Sequence, residues 1–82
     1  MESPNNNAQV LKEGIVTFVN GPVIKAMNMR DFAMREVVHV GPKKLMGEII
    51  SMDGDNATIQ VYEDTDGLKI DEKVHGTGEA LS

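Results

Sequence analysis

The sequence predicts an all-β fold, a small closed six-stranded antiparallel β-barrel, and three observations carry that prediction. Six short β-type runs follow one another closely, each bounded by Gly, Pro, Asn or Asp. No convincing long helical period interrupts them. The chain has 82 residues and no cysteine, so its modest core must hold without disulfides. A barrel that closes its own sheet edges is one solution for so small a domain.

Residues 1–11, "MESPNNNAQVL", read as a disordered lead-in, either native or a remnant of expression. Ser3-Pro4 and the Asn5–Asn7 run favour turns over packing. Residues 12–82 then form the barrel domain. "IVTFV" (15–19) is rich in β-branched residues and runs into Asn20-Gly21, a tight-turn signal. Pro22 opens "PVIKAM", where its missing N–H is tolerated at a strand's first position. Residues 27–35, "MNMRDFAMR", are compatible with a helical turn but are read as a loop, with Met27, Met29 and Met34 as adaptable packing. "EVVHV" (36–40) ends at Gly41-Pro42. "MGEIISM" and "ATIQVY" flank "DGDN", a hairpin connection. "ATIQVY" alternates cleanly, placing Ala57, Ile59 and Val61 on one face and Thr58, Gln60 and Tyr62 on the other. "KVHGTG" is the sixth run.

Composition narrows the function classes. The net charge of −5 divides into five acids and six bases in residues 1–52, and eight acids and two bases in residues 53–82. Nucleic-acid binders usually carry a basic face that neutralises phosphates. Two phenylalanines, one tyrosine and no tryptophan leave few platforms for stacking bases. No nucleic-acid partner is therefore expected. No apolar run approaches the roughly 20 residues of a membrane helix, and the N-terminus lacks a basic-then-apolar leader. The domain is expected to be soluble, with no direct membrane contact.

The stretch "VYEDTDGLKIDEKV" (61–74) holds five carboxylates and two lysines. An EF-hand loop needs oxygen ligands at positions 1, 3 and 5, Gly at 6 and Glu at 12. With Gly67 at position 6, Tyr62 occupies position 1 and Lys73 position 12; with Gly54 there, Ile49 occupies position 1. Both frames fail. A catalytic carboxylate pair needs a cleft that perturbs its titration, and a short polar loop rarely offers one. The stretch is read as a turn with solvated acids, Gly67 supplying a positive φ. A zinc site would need His39, His75 and carboxylates converging from separate strands, so each histidine is read as an ordinary strand residue. "GPKKLMGE" and "GTGEALS" lack the glycine spacing and the lysine of a phosphate-binding loop. No catalytic, cofactor-binding or metal-ligating residue is assigned. "GIVTFVNG" after Lys12-Glu13 leaves one alternative, a small RNA-binding barrel of the KOW or SH3-like kind from a translation or transcription factor.

The combination of runs is more specific than any one of them. "GIVTFVNGPVIKA", "MREVVHVG" and "MGEIISMDGDNATIQVYEDTDGLKIDEKVHGTGEALS" resemble the N-terminal β-barrel domain of the catalytic A (alpha) subunit of V/A-type ATPases and ATP synthases, from about Gly14 to Ser82. The non-catalytic B subunit shares a "VNGPV" start, but "VYEDTDGL" with "GTGEALS" fits the catalytic type better. The resemblance implies a structural and assembly barrel in the collar of an alternating A/B ring. The parent complex would couple ATP synthesis or hydrolysis to proton or sodium transport. It implies B subunits as partners and a peripheral membrane complex on the cytoplasmic face. ATP and Mg2+ would bind the parent subunit elsewhere, and this fragment alone would bind no cofactor and catalyse nothing. The isolated fragment is expected to be a monomer, because its contacts in such a ring are with B-type barrels. The charge asymmetry is expected to supply complementary faces.

Overall fold

In the computed structural model, which describes residues 12–80, the six predicted strands are present. They are β1 (Glu13–Asn20), β2 (Val23–Met27), β3 (Glu36–Val40), β4 (Leu45–Asp53), β5 (Asn56–Val61) and β6 (Lys73–Ala80). All pairings are antiparallel, and the strands close in the order β1-β2-β5-β4-β3-β6. Among the described residues, the closed ring leaves no free strand edge to template aggregation. The lead-in expected over 1–11 lies outside the described residues, as do Leu81 and Ser82.

Two hairpins follow directly from their glycines. Gly21 (φ 61) precedes Pro22 in the two-residue β1–β2 loop, and Gly54 (φ 63) precedes Asp55 in the β4–β5 loop. Positive φ at the first central residue suits a turn that follows the twist of the flanking strands. Pro22 thus stands in the turn rather than opening β2, and its carbonyl accepts the Val61 N–H at 2.7 Å.

The core follows the alternation. Ile24, Ile59 and Ile49 lie directly opposite one another across β2, β5 and β4, all fully buried. Each such side chain stabilises the fold by roughly 1.5–3 kcal/mol relative to exposure. A neighbouring row runs Val61, Gly47, Val38, Gly76, alternating large and small residues. Small residues are required because the interior of so narrow a barrel has no room for a side chain from every strand. A Cβ on Gly47 would lie 2.9 Å from both the Gln60 carbonyl and Ile59 Cγ2.

A register irregularity lies between Glu36 and Val38 where β3 meets β6, and two β-bulges lie between Val16 and Phe18 on β1 and between Ile49 and Ser51 on β4. Each bulge adds a residue and shifts the inward phase. Val19 and Met52 therefore turn toward the core, while Phe18 and Ser51 turn outward.

The two long loops close the two ends. The 28–35 segment is a loop, as read from sequence. Met29 is fully buried and Phe32 nearly so, whereas Met27 and Met34 stay exposed. Met29 N–H donates to the Asp55 carbonyl at 2.8 Å, and Arg35 N–H to the Ile49 carbonyl at 2.9 Å. The loop thus crosses the β4–β5 hairpin and plugs that end. At the other end the 62–72 loop inserts Leu68 beside the core. It adds to β1 through Val16 N–H to the Glu72 carbonyl (2.8 Å) and Asp71 N–H to the Val16 carbonyl (2.7 Å).

Candidate functional site

The acidic stretch folds as a turn. Gly67 takes φ 90, as expected. Its acids are not all merely solvated, however. Asp64 Oδ1 accepts the Asp66 N–H at 2.9 Å, Glu72 Oε1 the Lys69 N–H at 3.1 Å, and Glu63 Oε2 the Met46 N–H at 2.7 Å. Three of the carboxylates therefore satisfy backbone donors that a loop would otherwise leave to water. Among the described residues, no three His, Asp or Glu side chains converge as a metal-binding group.

Charge does not divide the barrel into two lateral faces. Asp53 and Asp55 sit at the β4–β5 hairpin, whereas Glu63 to Glu72 lie in the loop at the opposite end. The acidic C-terminal part of the sequence is thus split between the two ends. What distinguishes the sides is apolar exposure. Phe18 on β1 and Met27 on β2 are 44% and 45% exposed; Met46 and Ile50 on β4 are 43% and 40% exposed. In a six-strand ring of this order β1 and β4 stand opposite each other. The barrel therefore carries two separate apolar sides of different composition, one beside Lys25, whose Nζ lies 5.5 Å from the Phe18 ring.

Two buried carboxylates fix the ends to the walls. Glu36, at the start of β3, is 2% exposed and accepts from Lys12 Nζ at 2.8 Å and from the Ala33 N–H at 3.0 Å. Lys12 Nζ also lies 5.1 Å from the Phe32 ring. A buried charge of this kind persists only when paired and hydrogen-bonded. Glu48 projects from β4 on the outer face, yet it is only 4% exposed because Tyr62 and Arg35 cover it. Tyr62 Oη donates to one carboxylate oxygen and Arg35 Nε to the other. These donors hold the Glu48 carboxyl below its ordinary value of 4.5, the phenol contributing most and Arg35 next. The same bond raises the Tyr62 phenol above 10.0.

Both shifts link stability to pH. A carboxyl lowered on folding contributes stability that is complete above about pH 4.5 and is lost as pH falls through its folded value. A phenol raised on folding contributes below about pH 10.0 and loses that contribution as pH rises through its folded value. Tyr62→Phe is therefore expected to flatten both the acid and the alkaline limbs of stability. Urea midpoints measured across pH for the two proteins check this; parallel profiles would refute the linkage.

His39 and His75 are ordinary strand residues in one respect, since both face outward and half-buried. They are also directly opposite each other, on β3 and β6. Glu13 of β1 lies opposite His75 on its other side, and His75 Nε2 is 2.9 Å from Glu13 Oε2. Lys73 Nζ is 3.6 Å from Glu13 Oε1. The His75 hydrogen bond, then the Lys73 charge, lower the Glu13 carboxyl from its ordinary value. Sequence reasoning found neither this row nor the Glu48 cluster, because both depend on cross-strand register. The visible trace was a lone Glu inside the apolar run "MGEII".

Comparison with known proteins places these features in context. The β-barrel domain of the ATP synthase alpha/beta family matches residues 16–78. The chain is 59% identical over 69 residues to V-type ATP synthase alpha chain 2 of Clostridium tetani, covering 84% of this chain and 12% of that protein. It is 54% identical over 71 residues to the V-type ATP synthase alpha chain of Halothermothrix orenii, covering 87% and 12%. It is 53% identical over 72 residues to the catalytic A subunit of the V-type proton ATPase of Cyanidium caldarium, covering 88% and 12%. The chain thus spans 12% of the length of each of these curated relatives.

Proposed function

The chain belongs to the ATP synthase alpha/beta family, as its β-barrel domain, and we propose that it is the N-terminal structural and assembly barrel of a catalytic A-type subunit in a rotary V/A-type ATP synthase or ATPase. The observation that carries the assembly role is the pair of unlike apolar sides on opposing strands β1 and β4. A ring of alternating subunits makes heterologous contacts, so each barrel needs two different lateral surfaces rather than one self-complementary patch. Scattered exposed apolar residues are common on any surface, but their placement on opposite walls suits a module gripped from both sides.

In this reading the partners are B-type subunits, and the barrels form a collar in a peripheral complex on the cytoplasmic face of a membrane. ATP and Mg2+ bind the parent subunit outside residues 12–80, where a phosphate loop would supply the backbone cradle this barrel's sequence lacks. ATP turnover there is coupled to proton or sodium movement. No observation favours the RNA-binding alternative: the net charge is −5, and the exposed aromatics Phe18 and Tyr62 leave little for base stacking.

Calorimetric titration of the 82-residue chain with Mg-ATP is expected to be flat. Micromolar binding would contradict the assignment of nucleotide chemistry to the rest of the subunit. Reading the gene downstream of Ser82 should show G-x-x-x-x-G-K-S/T between a strand and a helix.

A further inference from the structure

We propose that His39 and His75 form a two-imidazole chelate for a divalent first-row transition ion, with zinc the natural probe, clipping β3 to β6 on the outside of the barrel. The register carries it. His39 and His75 are direct cross-strand partners. Their chain neighbours Val38, Val40 and Val74 are fully buried, so both imidazoles must face outward on the same side of the sheet. Directly opposed residues have Cβ atoms about 4.5–5.5 Å apart. Zinc–nitrogen bonds are about 2.0–2.1 Å, so one ion fits between two such rings.

Glu13 gives this pair a feature that two chance surface histidines lack. Its Oε2 lies 2.9 Å from His75 Nε2, on the strand that flanks β6 on the other side. With Nε2–H donated to the carboxylate, the lone pair of the neutral ring falls on Nδ1. A carboxylate that orients a histidine in this way raises its basicity as a ligand. Lys73 Nζ, 3.6 Å from the other Glu13 oxygen, steadies the carboxylate without competing for the ion. Two protein ligands leave two positions of a tetrahedral ion to water, so the site is a weak one that answers to ambient metal rather than a permanent structural centre. Zinc and related ions accept imidazole readily.

The clip reinforces the seam that anchors the last strand. β1 and β6 share only three registered pairs, Glu13–His75, Gly14–Val74 and Ile15–Lys73, so the β3–β6 seam anchors the last strand. An ion bound only by the folded pairing stabilises that seam by mass action.

Zinc titration at pH 7.5, followed through the imidazole NMR resonances of the 82-residue chain, tests the proposal. Both histidines are expected to shift together and to saturate at one ion per chain. At zinc ten times Kd the Tm should rise by roughly 5–10 °C. His39→Ala should weaken binding at least tenfold, and Glu13→Gln should weaken it by about 10-fold or more. Resonances of only one histidine moving, neither moving in millimolar zinc, or affinity surviving His39→Ala would each overturn the chelate. Because the NMR readout uses the unsubstituted protein, a misfolded variant cannot mask the result.

Discussion

Met29→Ala is expected to destabilise the barrel by about 2–4 kcal/mol, toward the cost of other buried truncations. In a domain of this length that lowers Tm by roughly 10–25 °C. Met29 lies in a loop, where truncation normally costs little, but it is fully buried and plugs the end of the barrel. Its thioether occupies the space above Gly14, where a Cβ would stand 2.1 Å from the Met29 sulfur and 3.2 Å from the Met27 carbonyl. The two positions are therefore coupled. Gly14→Ala alone should cost about 1–3 kcal/mol by overpacking. In the Met29→Ala background the same change should cost clearly less, since the sulfur is gone and only the Met27 carbonyl at 3.2 Å still crowds the methyl. A double-mutant cycle by urea denaturation measures the coupling. Additive losses would show that Met29 is not seated on Gly14.

The second large effect is at Gly47. Gly47→Ala should cost about 2–3 kcal/mol, because the new methyl meets the backbone of β5 rather than a side chain that can move. The contacts are the Gln60 carbonyl at 2.9 Å and Val61 Cα at 3.4 Å, with Ile59 Cγ2 also at 2.9 Å. Relief would need β4 and β5 to separate, and every strand of a closed barrel is held on both sides. Gly54 supplies the contrast. Nothing lies within 4 Å of a Cβ there, and only its φ of +63 constrains it. Gly54→Asn, which tolerates that region, should cost under about 1 kcal/mol. Thermal melts of the two variants check the difference, and equal losses would mean that Gly47 matters only as a flexible residue.

These two positions show what the sequence makes legible. The six strands and their hairpins are local features, written in β-branched runs and in Asn20-Gly21 and Asp53-Gly54. Clean alternation at 57–62 correctly gives the buried face Ala57, Ile59 and Val61. Alternation fails at Phe18 and Ser51, where a bulge shifts the inward phase by one residue, and nothing local in the sequence marks the shift. The burial of Met29, Glu36 and Glu48 is not a local property. It follows from which strand ends a loop crosses and which side chains arrive from elsewhere, and neither is encoded within a few residues. Glu48 needs Arg35 and Tyr62, 13 and 14 residues away, to be covered. The charge division between sequence halves is equally misleading, because folding sends the acids of one half to both ends of the barrel.

The polar clusters serve the scaffold in the same sense as the glycines. Lys12–Glu36 and Arg35–Glu48–Tyr62 tie the end loop to β3 and β4, so that the walls keep a fixed shape. A rigid wall lowers the entropy lost when a neighbour docks, which is what a repeated collar contact requires. In the proposed assembly the exposed apolar side chains on β1 and β4 would face different neighbours without rearranging. Phe18→Glu and Met46→Glu would each be expected to leave the fold intact while weakening one side of the ring.

Sedimentation velocity on this chain, alone and mixed with the B-type barrel of the same ring, tests the two-sided assembly role most directly. Alone at micromolar concentration the chain should sediment as a monomer, and the mixture should show a heterocomplex that either substitution weakens. A stable homohexamer formed by the chain alone would contradict it, because such a barrel would match itself rather than an alternating neighbour.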